Sequence, residues 1–370
     1  VMYKFSMPRN VIFGAGCVEK LGTLVPADAR VLVVSGRSAR KNGCLEHIES
    51  LLKPRAVEFF DQVDPEPTIQ QVDEIRFVLK KFNAGAVVAV GGGSALDAGK
   101  VAAAAVNTDL PTAEFFYNRA ALPPQGCFMA ALPTTAGTGA EVTPNGVFTD
   151  KENNIKQSIR GGSILPELAL VDPALSVSCP ARVTAASGLD ALTQGIESYI
   201  SRNSNNATCA WAMQSVKLID CAIEKAYNNG NDIEARSDMS EGTMLGALAF
   251  AVSGLGAVHG LAHPVGAITH QAHGLVCGVL LPQILKWNLP VCRGKLTELA
   301  EYCGYGSVEK FIQRTEELLE KFGIERKLSA YGLNEEHLEW VVKNSRSGSM
   351  RCNCREFSDA ELETLLREML

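Results

Sequence analysis

The 370-residue chain predicts an N-terminal α/β domain built on a parallel sheet, residues 1–180, followed by an all-helical domain, residues 181–370. Three observations carry this reading. β-branched and apolar runs alternate with helical spacing in the first half, several of those runs are apolar on both faces, and after Pro180 only helical spacing remains. A chain of this length exceeds one ordinary core, so two domains are expected.

The predicted strands are Val31–Ser35, Val57–Asp61, Ala86–Val90, Phe128–Leu132 and Leu168–Asp172. Between the second and third, Ile69, Val72, Ile75, Val78 and Leu79 keep helical spacing over Thr68–Phe82, which makes a β-α-β unit. Beyond Pro180, helices are expected at about 183–200, 206–227, 233–252, 275–288, 293–303, 307–323, 335–344 and 358–369. Pro173, Pro180 and the asparagine-rich Asn203–Asn206 punctuate them.

Composition narrows the classes of function. A net charge of −6 and a pI near 5.7 offer no basic field for nucleic acid. Hydrophobic residues at 46% and charged residues at 21% describe a globular protein. No uninterrupted apolar run approaches the roughly 20 residues that cross a bilayer, and Val1–Asn10 does not read as a signal peptide. A cytoplasmic protein without membrane attachment is expected. Eleven cysteines then imply reduced thiols, and the lone Cys352–Cys354 CxC pair is a poor structural zinc site.

Leu255–Gly274 holds four of the six histidines. His259 and His263 are four apart and share a helix face. His273 follows His259 by fourteen residues, about 21 Å along a straight helix, so the chain must turn back if the two act together. Pro264, Gly266 and Gly274 are candidate turn points. The bland alternative is a set of unrelated histidines, against which their clustering in a small-residue, apolar segment speaks.

Two turns follow predicted strands. Ala86–Val90 runs into Gly91-Gly-Gly-Ser-Ala-Leu-Asp-Ala-Gly-Lys100 and an alanine-rich helix, where backbone N–H groups and the helix N-terminus suit a pyrophosphate. Triple glycine is equally a common tight turn. Phe128–Leu132 leads into Pro133-Thr-Thr-Ala-Gly-Thr-Gly-Ala-Glu-Val-Thr143 at the carboxyl edge of the same sheet. At the start of the helical domain, Asp190 and Gln194 share a face; alone, such an aspartate reads as a cap or dipole partner.

Gly91-Gly-Gly-Ser-x-x-Asp-x-x-Lys100, Thr134-Thr-Ala-Gly-Thr-Gly139, Gly188-Leu-Asp-Ala-Leu-Thr, Val258-His-Gly-Leu-Ala-His-Pro264 and His273-Gly274 together resemble the iron-containing (group III) alcohol dehydrogenases. The likeness covers nearly the whole chain. It implies a Rossmann-like dinucleotide domain and a helical metal-bearing domain, an architecture shared with dehydroquinate synthase, with the active site in the cleft between them. Gly91, Gly92, Gly93 and Ser94 would hold the cofactor pyrophosphate, with Asp97 in the same signature. Thr134, Thr135 and Thr138 would line the nucleotide cleft, and Lys156 matches a cofactor-contacting lysine. Asp190, His259 and His273 match metal ligands, and His263 matches a histidine beside the metal suited to proton transfer.

One position departs from the family pattern, because Gln194 stands where the family has a histidine ligand. A glutamine oxygen is a weaker, neutral donor, so Gln194 is expected as a weak fourth ligand or as a neighbour of the bound ion, with His263 or His270 as substitute ligands and occupancy in question. The expected ion is Fe2+, with Zn2+ second. After Val31–Ser35, Gly36-Arg-Ser-Ala-Arg-Lys41 lacks the carboxylate that NAD-selective proteins place there. Gly36 and Ser38 would then meet the cofactor, and Arg37, Arg40 and Lys41 could contact a 2′-phosphate, so NADP(H) is expected to serve at least as well as NAD(H). The implied activity is interconversion of a short, polar primary alcohol and its aldehyde by a homodimer. The competing readings are a metal-independent reductase, a lyase of the dehydroquinate synthase type and a non-catalytic dinucleotide-binding protein.

Overall fold

A computed structural model of the chain describes residues 2–124, 126–153 and 155–370. These residues form two compact units, one spanning Phe5–Cys179 and the other Pro180–Leu370 together with the start of the chain through Lys4.

The first unit holds a six-stranded parallel sheet. Its strands are β1 (Asn10–Phe13), β2 (Val31–Gly36), β3 (Val57–Val63), β4 (Ala86–Gly91), β5 (Phe128–Pro133) and, after a hairpin of β6 (Asn145–Asp150) and β7 (Ile155–Arg160), β8 (Leu168–Val171). Their spatial order is β1-β8-β5-β4-β2-β3. All five predicted strands are present. Leu32, Val34, Val87, Ala89 and Ala131 bury into one core, while Val31, Val33, Ala86, Val88 and Ala130 bury into another. This two-sided burial is why the central strands read as continuous apolar runs.

The edge strand β1 and the β6–β7 hairpin escaped prediction for a physical reason. Strand β1 is only four residues long and partly exposed, and β7 is mostly polar, so neither carries an apolar signature. Among the described residues no strand follows Pro180, and the second unit is helical throughout.

Its long helices are Ala181–Ile200, Asn206–Asn228, Ile233–Ser253, Ala257–Thr269 and His273–Tyr302. The last consists of two helical stretches joined at a kink where Cys292 leaves helical geometry two residues after Pro290, which agrees with the predicted pair 275–288 and 293–303. By length and composition it could cross a membrane, but 67% of its most apolar window is buried inside the protein, as in a core helix. All eleven cysteines are free thiols.

Candidate active site

The Ala181–Ile200 helix carries Asp190, Gln194 and Glu197, all buried and spaced to lie along one side of the helix. The Ala257–Thr269 helix brings in His259. It ends at His270, whose left-handed φ of 53° turns the chain, and a new helix begins at His273. The turn back that the histidine spacing demanded therefore lies after Thr269. Pro264 and Gly266 are helical; burial of Val258, Leu261 and Val265 outweighs the one hydrogen bond that Pro264 cannot make.

Close helix approach completes the site. A Cβ on Gly274 would stand 2.1 Å from the Ala186 carbonyl oxygen, and one on Gly278 would stand 2.7 Å from Leu189 Cδ1. With hydrogen at both positions, the His273–Tyr302 helix packs against the Asp190 helix, and His273 and Cys277, one turn apart, reach Asp190. One donor atom from each of Asp190, His259, His273 and Cys277 falls in a group whose members all lie within 4.8 Å of one another. His259 Nε2 is 3.2 Å from Asp190 Oδ1, His273 Nε2 is 3.9 Å from the same oxygen, and Cys277 Sγ is 3.6 Å from His273 Nε2.

Glu197 orients this group. Its carboxylate accepts from the Gly256 and Val258 N–H groups at 2.9 and 2.6 Å and sits 2.6 Å from His259 Nδ1. A proton on Nδ1 directed at Glu197 leaves the Nε2 lone pair facing Asp190 Oδ1. Two such lone pairs at 3.2 Å repel unless a cation or a second proton lies between them. Without a metal ion, burial opposes a charged ring, yet Cys277, Asp190 and Glu197 hold the His259 pKa well above the ordinary histidine value. Burial likewise opposes the Asp190 charge, but His259 and His273 keep its pKa below the ordinary carboxylate value. Burial pushes the Cys277 thiol up to about 12. The donor set therefore fits a divalent cation. Gln194 Oε1 adds a buried acceptor with no hydrogen-bond partner among the described residues.

Sequence reasoning gave no role to Glu197 or Cys277. Each carried a faint signal: Glu197 is the other acid of its helix, seven residues after Asp190, and Cys277 follows His273 by four. His263 and His270, the candidate substitutes for the missing imidazole, are not in the donor group. His263 is partly exposed and stacks on His273 with ring centroids 4.9 Å apart, while His270 is exposed at the turn.

In the first unit, the chain leaves β2 for the β3 edge, crosses back to β4 beside β2, and then runs the other way to β5. Open sheets of this kind bind ligands at that reversal, outside the strand carboxyl ends. The turns there are Gly36–Ser38 after β2 and Gly91–Ser94 after β4. The Gly93–Ala105 helix starts with no side-chain cap, which leaves its first N–H groups available to an anion.

The threonine loop after β5 packs against the same turn. Thr134 N–H donates to the Gly91 carbonyl at 2.9 Å, and Cβ atoms on Gly92 and Gly93 would stand 3.3 Å from Thr135 Oγ1 and 2.7 Å from Thr138 Oγ1. Three expected contacts are otherwise engaged. Asp97 accepts from Val147 N–H at 2.9 Å and pairs with buried Lys100 at 2.9 Å, which makes it a strut between the glycine-turn helix and β6. Ser94 Oγ donates to the Pro65 carbonyl, and Lys156 Nζ pairs with Glu66 at 2.7 Å. Although the β2 turn lacks a carboxylate of its own, β3 and the residue after it supply two. Arg40 pairs with Asp61, and Arg37 lies 3.9 Å from Asp64.

Comparison with known proteins agrees with this architecture. The profile "Iron-containing alcohol dehydrogenase" matches residues 8–173, and "Fe-containing alcohol dehydrogenase family, C-terminal" matches residues 184–370. The NAD-dependent methanol dehydrogenase of Bacillus methanolicus is 32% identical over 357 residues, 93% of each chain. The NADPH-dependent butanol dehydrogenase of Clostridium saccharobutylicum is 30% identical over 348 residues, 91% of this chain and 89% of that one. The crystal structure of sulfoacetaldehyde reductase from Bifidobacterium kashiwanohense in complex with NAD+ superposes with a TM-score of 0.95 at 28% identity, covering 100% of this chain and 99% of that one. This chain belongs to the iron-containing alcohol dehydrogenase family.

Proposed function

We propose that this protein interconverts a short, polar primary alcohol and its aldehyde with NAD(P)(H), acting as an aldehyde reductase that depends on a divalent ion held by Asp190, His259 and His273. The observation that carries the reading is the Asp190–His259–His273 group, in which Asp190 and His259 are buried, His273 is partly exposed and Glu197 meets His259 Nδ1. Bound NAD(P)(H) would supply or accept the hydride, and a divalent ion held by Asp190, His259 and His273 would supply Lewis acidity toward the alcohol or carbonyl oxygen. Glu197 keeps the Nε2 lone pair of His259 on the donor side, and Asp190 contributes the negative charge that a buried cation requires.

His263, partly exposed and stacked on His273, is the group suited to exchange a proton with the substrate oxygen. Gly91, Gly92, Gly93 and Ser94 would receive the pyrophosphate on backbone N–H groups, beside Thr134, Thr135 and Thr138. Gly36, Ser38 and Lys156 would border the rest of the cofactor. Arg37, Arg40 and Lys41 favour a 2′-phosphate, and Asp61 and Asp64 temper that charge, so NADPH is expected to serve at least as well as NADH. The polar-aldehyde assignment draws support from the sulfoacetaldehyde reductase likeness.

The test is a panel of short aldehydes assayed with NADPH and with NADH on protein of measured metal content. The expected result is turnover that follows metal occupancy. Chelated protein that is metal-free by elemental analysis yet fully active would overturn the metal role. A tenfold or greater preference for NADH in kcat/KM would overturn the cofactor assignment.

A further inference from the structure

The family pattern has an imidazole where this chain has Gln194, and the structure brings a different donor to the same cluster. Cys277 lies four residues after His273 on one helix and is fully buried. A tetrahedral shell with bonds of about 2.0–2.3 Å places donor atoms about 3.3–3.8 Å apart. The Cys277–His273, His259–Asp190 and His273–Asp190 separations are 3.6, 3.2 and 3.9 Å. Three edges of the group thus already approach a coordination shell. Gln194 Oε1, one turn after Asp190 on the same helix, is buried and without a hydrogen-bond partner among the described residues.

We propose that Cys277 is the fourth protein donor of this centre, in place of the missing imidazole, and that the site therefore selects a thiophilic divalent ion, zinc before iron. The inference rests on the metal-dependent reading above and deepens it. A thiolate and the Asp190 carboxylate together carry two negative charges, which match a divalent ion in a buried site. Thiolate is the softest donor a side chain offers, and it shifts selectivity toward zinc. Coordination requires loss of the thiol proton, which leaves to solvent as the ion enters. Zinc also accepts a fifth ligand, so four protein donors do not close the centre to a substrate oxygen.

Cobalt(II) added to the metal-free full-length protein tests this by absorption spectroscopy. The expected result is one cobalt per chain with a strong near-ultraviolet thiolate-to-cobalt band, which Cys277→Ser abolishes while the weaker visible bands of bound cobalt remain. Cobalt bound without the thiolate band, or a band that persists in Cys277→Ser, overturns the proposal and leaves the metal-dependent reading intact. Failure of the wild-type protein to bind cobalt or zinc overturns both.

Zinc-edge X-ray absorption on the wild type needs no variant. One sulfur scatterer at about 2.3 Å among nitrogen and oxygen donors supports the proposal, and a shell of nitrogen and oxygen alone overturns it. In competition, Cys277→Ser is expected to lower the zinc-to-iron occupancy ratio by about tenfold. An unchanged ratio counts against Cys277.

Discussion

The two units offer their candidate ligand-binding groups from different parts of the chain. Around β4 the groups suited to a ligand are backbone N–H donors at a strand-to-helix turn, contributed by residues consecutive in sequence. In the helical unit they are side chains from three helices, brought together across separations of 69 and 62 residues, from Asp190 and Glu197 to His259. A backbone site tolerates changes that leave the turn intact and fails when a side chain intrudes. A side-chain site fails when one donor or its orienting partner is lost. Variants in each unit should separate these modes.

The largest effect is expected from His259→Ala or His273→Ala. Loss of an ion whose Lewis acidity is worth several kcal/mol should lower kcat/KM by about 10³-fold. Elemental analysis should find the variants metal-poor, while NADPH binding, followed by nicotinamide fluorescence, stays within about twofold of wild type. Loss of cofactor binding together with the metal would dissolve the contrast.

Glu197→Gln is expected to come next. The amide can accept from only one of the Gly256 and Val258 N–H groups, which meet different carboxylate oxygens, and it no longer carries the charge that holds the His259 proton on Nδ1. Metal affinity should fall about 10–100-fold although Glu197 is not in the donor group. Chelator competition measures this, and an unchanged affinity would mean that the ring is oriented by packing alone.

Gly93→Ala breaks the other mode. Its Cβ would stand 2.7 Å from Thr138 Oγ1, so the threonine loop must shift at a cost of about 1–3 kcal/mol. The cofactor Kd should rise about tenfold or more with metal content unchanged. Normal cofactor affinity in this variant would remove the turn from the binding site.

The smallest effect is a pH dependence confined to the first unit. Burial pushes the Glu141 carboxyl from its ordinary value of 4.5 up to about 7, against the lowering influence of Lys100. Between those values the folded chain retains a proton that the unfolded chain has lost. Stability should therefore fall as pH rises through this window, by at most about 3 kcal/mol, and stay lowered above it. Glu141→Gln should flatten that slope in denaturant unfolding. An equally steep slope in the variant would assign it to other groups.

What could be read from the sequence follows the same division. Five sheet strands, four of them buried along most of their length, the glycine turn after β4 and most helix boundaries were legible, because each depends on local spacing and on apolar runs. The β6–β7 hairpin and β1 were not, since β7 is mostly polar and β1 is only four residues long and partly exposed. In the candidate donor group, Asp190, His259 and His273 were singled out through the family resemblance. Cys277 and Glu197 were not, because a cysteine or a glutamate in an apolar helix looks the same whether it faces a donor group or fills a core.

By itself the sequence determined that an α/β unit precedes a helical one, and that a phosphate-suited turn and a histidine cluster lie in separate segments. These properties follow from the periodicity and residue chemistry of contiguous stretches. Only the tertiary structure decided that the chain reverses after Thr269, that Asp61 and Asp64 reach the basic turn after β2, and that Cys277 rather than His263 or His270 joins the donor group. Those outcomes depend on how closely two backbones approach. Gly274 and Gly278 allow that approach by having no Cβ to meet Ala186 and Leu189, and a contact of this kind becomes visible only when the partner helix is in place.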